Sequence, residues 1–352
     1  MTISATTQGI RPGVCTSTNK PASPFDGQTI YMTDVDQTAV WDGTQWVGTS
    51  PTGGRNVIIN GSFSIWQRGT TSATTSKTYL ADRWARDIPT GGTQSQETDA
   101  PSVQFRYSWK HVASATNAYM QLGQQIEFEN CKQFQNQPTT ISFWAKAINS
   151  NAGSTALTVR TRTIAGGDGA CLFAGTAVDT SVTLTTSWAK YTVTRTMPAT
   201  FGSASIELVL GSHVSGDGVF VTGVQWELGA VATTFESEDY SSLLVKCQRY
   251  YWRGGNGSPG IFNGGTTARY SIIFPTTMRT TPVTTAIAAP IVINPTVAEQ
   301  QTGSQTTGFS VTGFGESVDY SAAQIQLGGF SSGIDGRPTT LLNTALQFSA
   351  EF

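Results

Sequence analysis

The stretch "ISFWAKA", residues 141–147, alternates without a break. Ile141, Phe143 and Ala145 fall on one side of an extended chain, Trp144 and Lys146 on the other, because successive side chains of a strand point to opposite faces. One side suits a core and the other suits water, so the segment predicts a half-buried strand. The same period recurs. "MQLGQQIEF" groups Met120, Leu122, Ile126 and Phe128, and "LTVRTRT" sets Leu157 and Val159 against Arg160 and Arg162. "SIELVLG" aligns Ile206, Leu208 and Leu210, and "VFVTGVQWEL" aligns Phe220, Val224, Trp226 and Leu228. "VQFRYSW" places Val103, Phe105, Tyr107 and Trp109 on one face, with Gln104, Arg106 and Ser108 opposite. Short strands with turn signals between them predict a sandwich or jelly roll. No long helix-period segment interrupts them, which counts against a doubly wound or barrel enzyme.

Composition agrees. Charged residues are 12% of 352, against roughly 25% in ordinary soluble domains, and the net charge is −2. No block of Lys and Arg is present to meet phosphates, so nucleic acid is not an expected partner. No apolar run approaches the ~20 residues of a membrane span, so no membrane insertion is expected. "MTISATTQGIRP" lacks a basic segment followed by an apolar one, so no secretory signal is expected and synthesis is assigned to a cytoplasm. Cys15, Cys131, Cys171 and Cys247 are widely spaced and read as free, mostly buried thiols.

The length implies two or three domains. Residues 1–55 contain short strands, "QTIYMTD" and "TAVWDG" around an acidic turn at Asp34–Asp36, with a third after "DGTQW". This small β module is expected to lean on a partner chain or particle, and "GTSPTGGR" reads as a linker. Residues 56–238 form the jelly roll. In "SEDYSSLLVKCQRYYW", Ser237 is the expected N-cap, and Leu243, Leu244, Cys247, Tyr250 and Tyr251 recur at helical spacing, giving a short connecting helix over 239–252. Residues 253–352 read as a second, smaller β-sandwich. There Tyr270, Ile272 and Phe274 alternate, and Leu346, Phe348, Ala350 and Phe352 share a face. The fold class is all-β: tandem sandwiches, an N-terminal β module and one helix.

Several phrases resemble, in their order, a domain of tailed-bacteriophage tail-fibre and other virion appendage proteins. They are "NVIINGSFSIWQRGTT" (56–71) with "YLADRW" (79–84), then "SFWAKA", "TLTTSWAKYTVT" and "VTGVQWELGAVATTFE". That domain is similar to carbohydrate-binding-module jelly rolls. "LLVKCQRYYW", "FPTTMRTTPVTT" and the final "SAEF" resemble the region that accompanies it, and "NKPASPFDGQTIYMTDVDQTAVWDGTQWV" resembles a small virion module. The resemblance implies a virion structural protein, a homotrimer, joined to other virion proteins through its N-terminal module and in some members contacting a host glycan. Family members share no catalytic residues, so no active site is implied. A purely structural capsid fibre, decoration or baseplate protein is the alternative. A polysaccharide-degrading enzyme is disfavoured, since no long repetitive β-helix signature is present.

No enzyme, cofactor or metal motif is legible. His111 and His213 lack ligands at metal spacing. "GDGA" at Gly167 and "GDGV" at Gly216 read as Asp-Gly turns rather than calcium loops. Glu127, Glu129, Glu207 and Glu227 lie on strands, but any sheet offers such carboxylates. Aromatic rings with hydrogen-bonding neighbours are better contacts for a sugar, because the ring covers C–H groups while polar side chains meet hydroxyls. Trp144 and Lys146, with Arg106, Arg160 and Arg162 opposite core residues, form the first candidate group. The competing expectation is that this face packs against a neighbouring domain or subunit, or that the strands belong to different sheets. The loops 254–267 and 328–339 form the second group, with Phe262, Asn263, Phe330 and Asp335. "NVIINGSFSI" reads as an early strand. Trp66 and Trp84 are expected to pack structurally, with Arg68 and Arg83 bonding backbone carbonyls.

Overall fold

The computed structural model describes residues 12–33, 37–48, 55–74, 78–89, 91–262, 267–286, 291–294, 299–302, 322–328, 338–341 and 346–352. The expected turn at Asp34–Asp36 and most of the linker lie outside them. The chain forms two compact units. The first comprises Met1–Ser64, Thr70–Thr78 and Trp84–Ser237; the second comprises Ile65–Gly69, Tyr79–Arg83 and Glu238–Phe352.

The first unit opens with a four-stranded sheet, β1 (Gly13–Cys15), β2 (Thr29–Met32), β3 (Gln37–Trp41) and β4 (Trp46–Gly48), in that order. Strand β1 runs parallel to β2, a pairing the turn signals did not reveal. Its small core of Ile30, Met32 and Ala39 is completed by Val231, and the Gly48 N–H donates to Ala232 O. So few apolar residues cannot hold a sheet alone. Within the chain the adjoining sandwich supplies support through Val231 and Ala232.

Twelve strands follow: β5 (Thr71–Thr74), β6 (Thr78–Tyr79), β7 (Ala85–Asp87), β8 (Gly92–Glu97), β9 (Ser108–Ala113), β10 (Met120–Ile126), β11 (Pro138–Ala147), β12 (Ala156–Thr163), β13 (Thr176–Thr183), β14 (Ala189–Thr196), β15 (Ala204–Leu210) and β16 (Gly218–Leu228). They make two six-stranded sheets, a front sheet β14-β11-β16-β9-β8-β5 and a back sheet β13-β12-β15-β10-β7-β6. Single-turn helices α1 (Phe128–Cys131) and α2 (Ala152–Thr155) sit in connections. Polar ties join the two layers. Arg195 of β14 donates to Thr161 Oγ1 of β12 at 2.6 Å, and Arg86 of β7 to Gly92 O of β8 at 2.8 Å. Between them the core buries Trp109, Phe143, Trp226, Leu122, Val159 and Leu208. Each such side chain contributes about 1.5–3 kcal/mol by leaving water.

Three departures from simple alternation are informative. In β16 the register with β11 shifts between Ser142 and Trp144: Ser142 pairs with Gln225, but Trp144 pairs with Thr222. The extra residue is a β-bulge at Gly223, φ +61°, and it resets parity. Val219 and Val221 therefore face the core together with Val224 and Trp226, and Phe220 turns to the opposite face. Next, "VQFRYSW" becomes a strand only from Ser108. Val103 is fully exposed and Phe105 folds back onto the bulge, where a Cβ on Gly223 would meet its ring at 2.6 Å. Lastly, "NVIINGSFSI" is not a strand. Asn60 (φ 60°) and Phe63 (φ 53°) are left-handed, and Gly61 lies so close to Val224 O that a Cβ would sit 2.0 Å away.

The second unit contains helix α3 (Tyr240–Gln248) and strands β17 (Tyr251–Gly254), β18 (Pro259–Phe262), β19 (Thr267–Ile273), β20 (Val283–Ala286), β21 (Ile291–Asn294), β22 (Glu299–Thr302), β23 (Ala322–Gly328), β24 (Pro338–Leu341) and β25 (Leu346–Ser349). The N-cap of α3 is Asp239, not Ser237. The Asp239 carboxylate accepts the N–H groups of Ser241 and Ser242. A three-stranded sheet, β17-β25-β20, and a six-stranded sheet, β22-β21-β24-β18-β19-β23, enclose Phe262, Tyr270, Ile272, Leu341 and Phe348. This unit also takes in two pieces of the "NVIINGSFSIWQRGTT…YLADRW" phrase. Arg68 bonds Asp82 at 3.1 Å and Glu351 at 3.2 Å, Arg83 bonds Glu351, and the guanidinium groups lie 3.5 Å over the rings of Tyr251 and Tyr250. Asp82 is buried, which pushes its carboxyl up to about 6 despite Arg68.

Candidate functional site

The front sheet carries a row of side chains on its outer face. Lys146 pairs with Phe220, Phe220 with Lys110, and Lys110 with Ser95. Trp188 stands at the next position of the β14–β11 ladder, just before β14. Five neighbouring strands at about 4.8 Å spacing give the row a span of about 19 Å. Parity places these residues outward, because their neighbours Ala145, Val219, Val221, Trp109 and His111 are buried in the core.

Within the row the polar groups hold one another. Asp99 accepts the Trp188 indole N–H at 2.8 Å on one oxygen and Lys146 Nζ at 2.5 Å on the other. The bonds from Lys146 and then from Trp188 hold the Asp99 carboxyl below the usual range. Lys146 Nζ lies 4.6 Å from the Phe220 ring centre and 5.4 Å from that of Trp188, and Lys110 Nζ lies 5.1 Å from Phe220. Glu97 pairs with Lys110 at 3.6 Å and accepts Ser95 Oγ at 2.8 Å. The result is a half-buried indole and a buried phenyl ring among two lysines, each lysine matched by a carboxylate. Asp99 is 48% exposed, and Glu97 and Lys110 about a third, so the polar atoms meet solvent.

Beside the row, residues 102–107 cross the same face as a roof. Thr222 Oγ1 donates to Tyr107 O at 2.7 Å, and Phe105 meets Phe235 edge-on at 5.1 Å. Trp144 is half-buried next to Phe105, so it borders the roof instead of lying open. Arg106 is exposed on the roof, 5.1 Å over the Tyr107 ring, and not on a strand.

The other candidates go elsewhere. Arg160 and Arg162 lie on β12 of the back sheet. Arg160 forks onto Asp179 at 2.7 and 2.8 Å, and Arg162 donates to Glu207 at 2.9 Å and to Gly175 O at 3.1 Å. Glu207 also accepts the Phe173 N–H at 2.7 Å, so Arg162 and Glu207 pin the segment 164–175 over the sheet. Phe262 has no exposed surface and belongs to the core of the second unit. Asn263, Phe330 and Asp335 lie outside the described residues.

Carboxylates that sequence left open are occupied by donors. Glu227 accepts the Thr233 N–H, the Thr233 hydroxyl and Gln225 Nε2 at 2.6–2.8 Å. Asp217 of "GDGV" accepts Asn149, Asn151 and the Val214 N–H, and Asp168 of "GDGA" accepts the Phe128 N–H. Among the described residues no three His, Cys, Asp or Glu are grouped to hold a metal ion, and no helix is long and apolar enough to cross a membrane. The four cysteines are free, with Cys131, Cys171 and Cys247 buried. His111 and His213 meet edge-on at 5.9 Å inside the sandwich. Burial, Arg86 and His213 push His111 down to about 3.

Trp188 was absent from the sequence candidates. The signal was there: in "SWAKYTVT", Trp188 shares parity with Lys190, Thr192 and Thr194, opposite Val193.

No family model matches the chain, and no curated protein does. Solved structures do. The enzymatically active domain of bacteriophage CBA120 tailspike protein 4 is similar at 18% identity and TM-score 0.35, over 49% of this chain and 21% of that one. The arabinose-bound MgGH51 α-L-arabinofuranosidase is similar at 15% identity and TM-score 0.34, over 49% and 26%. The CBM22-1 xylan-binding domain of Paenibacillus barcinonensis Xyn10C is similar at 12% identity and TM-score 0.32, over 52% and 100%. The matched region is thus about a fifth of the tailspike chain and a quarter of the arabinofuranosidase chain. At TM-scores this low, none of these likenesses assigns an activity or a ligand here.

Proposed function

We propose that the chain is a structural component of a tailed-phage virion appendage, a tail fibre or fibre tip, that attaches to a host surface glycan without turning it over. The observation that carries the attachment is the row Trp188, Lys146, Phe220 and Lys110 with Asp99. The half-buried Trp188 ring covers the C–H side of a pyranose, with the buried Phe220 packed edge-on against it, and the flanking ammonium and carboxylate groups meet the sugar's hydroxyls. Support for a binding role over a catalytic one comes from Glu207 and Glu227, which are buried and bonded to backbone and side-chain donors instead of facing a cleft. The virion setting, homotrimeric assembly and attachment through residues 1–55 rest on the motif resemblance.

The test is labelled full-length chain added to cells of the host bacterium, together with immunogold labelling of intact particles. Saturable binding competed by extracted surface polysaccharide, with gold at the tail and no oligosaccharide release, is the expected result. Gold on the capsid with no cell binding, or release of oligosaccharides, overturns it.

A further inference from the structure

We infer that the glycan met by the Trp188–Lys146–Phe220–Lys110 row is an uncharged polysaccharide, not an acidic one; this rests on the reading of the row as a glycan contact. A site for uronate, sialate or phosphate-bearing chains needs a cation left free for the ligand's anion. Both lysines of the row are already engaged, and the exposed Arg106 stands beside the row on the roof, over the Tyr107 ring, and not within it. Lys146 is 2.5 Å from Asp99, and Lys110 is 3.6 Å from Glu97. In the Lys146 pair the acid is the more solvent-exposed member, Asp99 at 48% against 18%, while Lys110 and Glu97 are exposed about alike. At the Trp188 end of the row a chain approaching from solvent therefore meets the Asp99 carboxylate before the Lys146 ammonium group. The carboxylate oxygens repel an anionic sugar and accept hydrogen bonds from neutral hydroxyls. The lysine charge that remains is turned inward, over the Phe220 and Trp188 rings.

Geometry adds a length. Trp188 sits at one end of the row and Ser95 at the other, about 19 Å apart by strand spacing. A short run of sugars along one chain fits that span better than a single terminal residue. The indole is oriented by its bond to Asp99, so a ring face is set before the ligand arrives, which reduces the ordering cost of binding.

The experiment is affinity electrophoresis of the full chain through dextran, mannan and galactan on one side and alginate, polygalacturonate and hyaluronate on the other, with the host's own surface polysaccharide as a further lane. Each is run at 50 and 500 mM NaCl. The expected result is retardation by at least one uncharged polymer, unchanged by salt, and weakened at least tenfold by Trp188→Ala. The double variant Asp99→Asn/Lys146→Gln, which keeps net charge, is expected to weaken it by a similar factor, and circular dichroism confirms that both variants fold. Retardation by acidic polymers alone, falling as salt rises, overturns the inference and leaves the glycan reading standing. Retardation that both folded variants retain places the contact elsewhere and overturns it too. No retardation in any lane removes the glycan reading itself.

Discussion

Trp188 donates its indole N–H to Asp99 at 2.8 Å across 89 residues of chain, and the same carboxylate takes Lys146 on its other oxygen. One exposed side chain thus orients an aromatic ring and a cation on the outer face of the front sheet. Loss of that carboxylate is expected to loosen the ring without loosening the sandwich. Asp99→Ala should reduce polysaccharide binding about tenfold while changing stability by no more than about 1 kcal/mol, the usual range for an exposed ion pair. Parallel titrations and urea melts check this. A large loss of stability would make Asp99 a fold residue instead.

The Gly223 bulge decides which residues reach that face, and it is expected to tolerate no side chain. Gly223→Ala adds a left-handed alanine, costing about 1–2 kcal/mol, and a methyl group 2.6 Å from Phe105. The expected outcome is a loss of at least about 2 kcal/mol in urea and faster proteolysis within 102–107. Unchanged cleavage would mean that the roof is not held by Phe105.

The buried His111 gives the sandwich a pH dependence. Its folded value is about 3 against 6.5 for the free group, so the neutral form is favoured on folding. Stability from this group is fully present above pH 6.5 and is lost as pH falls from 6.5 toward 3, by something on the order of 4 kcal/mol. Asp82, raised by burial to about 6, acts in the opposite sense in the second unit, where protonation between pH 6 and 3.8 favours folding. The comparison is therefore with His111→Gln. Urea midpoints of the natural chain should fall more steeply between pH 7 and 4 than those of the variant. Parallel slopes would contradict the assignment.

The second unit is not contiguous, and residues 238–352 produced alone are expected to remain unfolded. They lack Arg68 and Arg83, which hold Glu351 and stack on Tyr251 and Tyr250, and Asp82, which holds Arg68. In the full chain Glu351→Gln removes the carboxylate from the buried Arg83 and should cost about 3 kcal/mol. Faster hydrogen exchange in β17 and β25 is the readout. A cooperatively folded 238–352 fragment would show that the inserted segments are dispensable.

These residues also mark how far the sequence could be read. The two-residue period of Ile141, Phe143 and Ala145 is a local property, so the strands and the all-β class are visible in the chain itself. A bulge is not. Gly223 shifts parity through its pairing with β11, so Phe220 reads as core of the sandwich in sequence and lies on the outer face of the sheet, buried there by its neighbours. Arg106 fails for a similar reason, since Phe105 is drawn to the bulge and leaves the alternation. Arg160 and Arg162 have the right parity on the wrong sheet, and sheet membership depends on topology. The "QRGTT…YLADRW" arginines had visible importance, but their carboxylate partner Glu351 is 283 and 268 residues away. Trp188 was legible by parity with Lys190. Its partner Asp99 lies in a loop with no periodic signal.

The most direct test of the glycan-contact row is a cell-binding titration of the full chain beside Trp188→Ala. The predicted result is saturable binding of the natural chain to host cells, abolished by added surface polysaccharide, with at least a tenfold higher half-saturating concentration for the folded variant. Equal half-saturation of the two chains would contradict it.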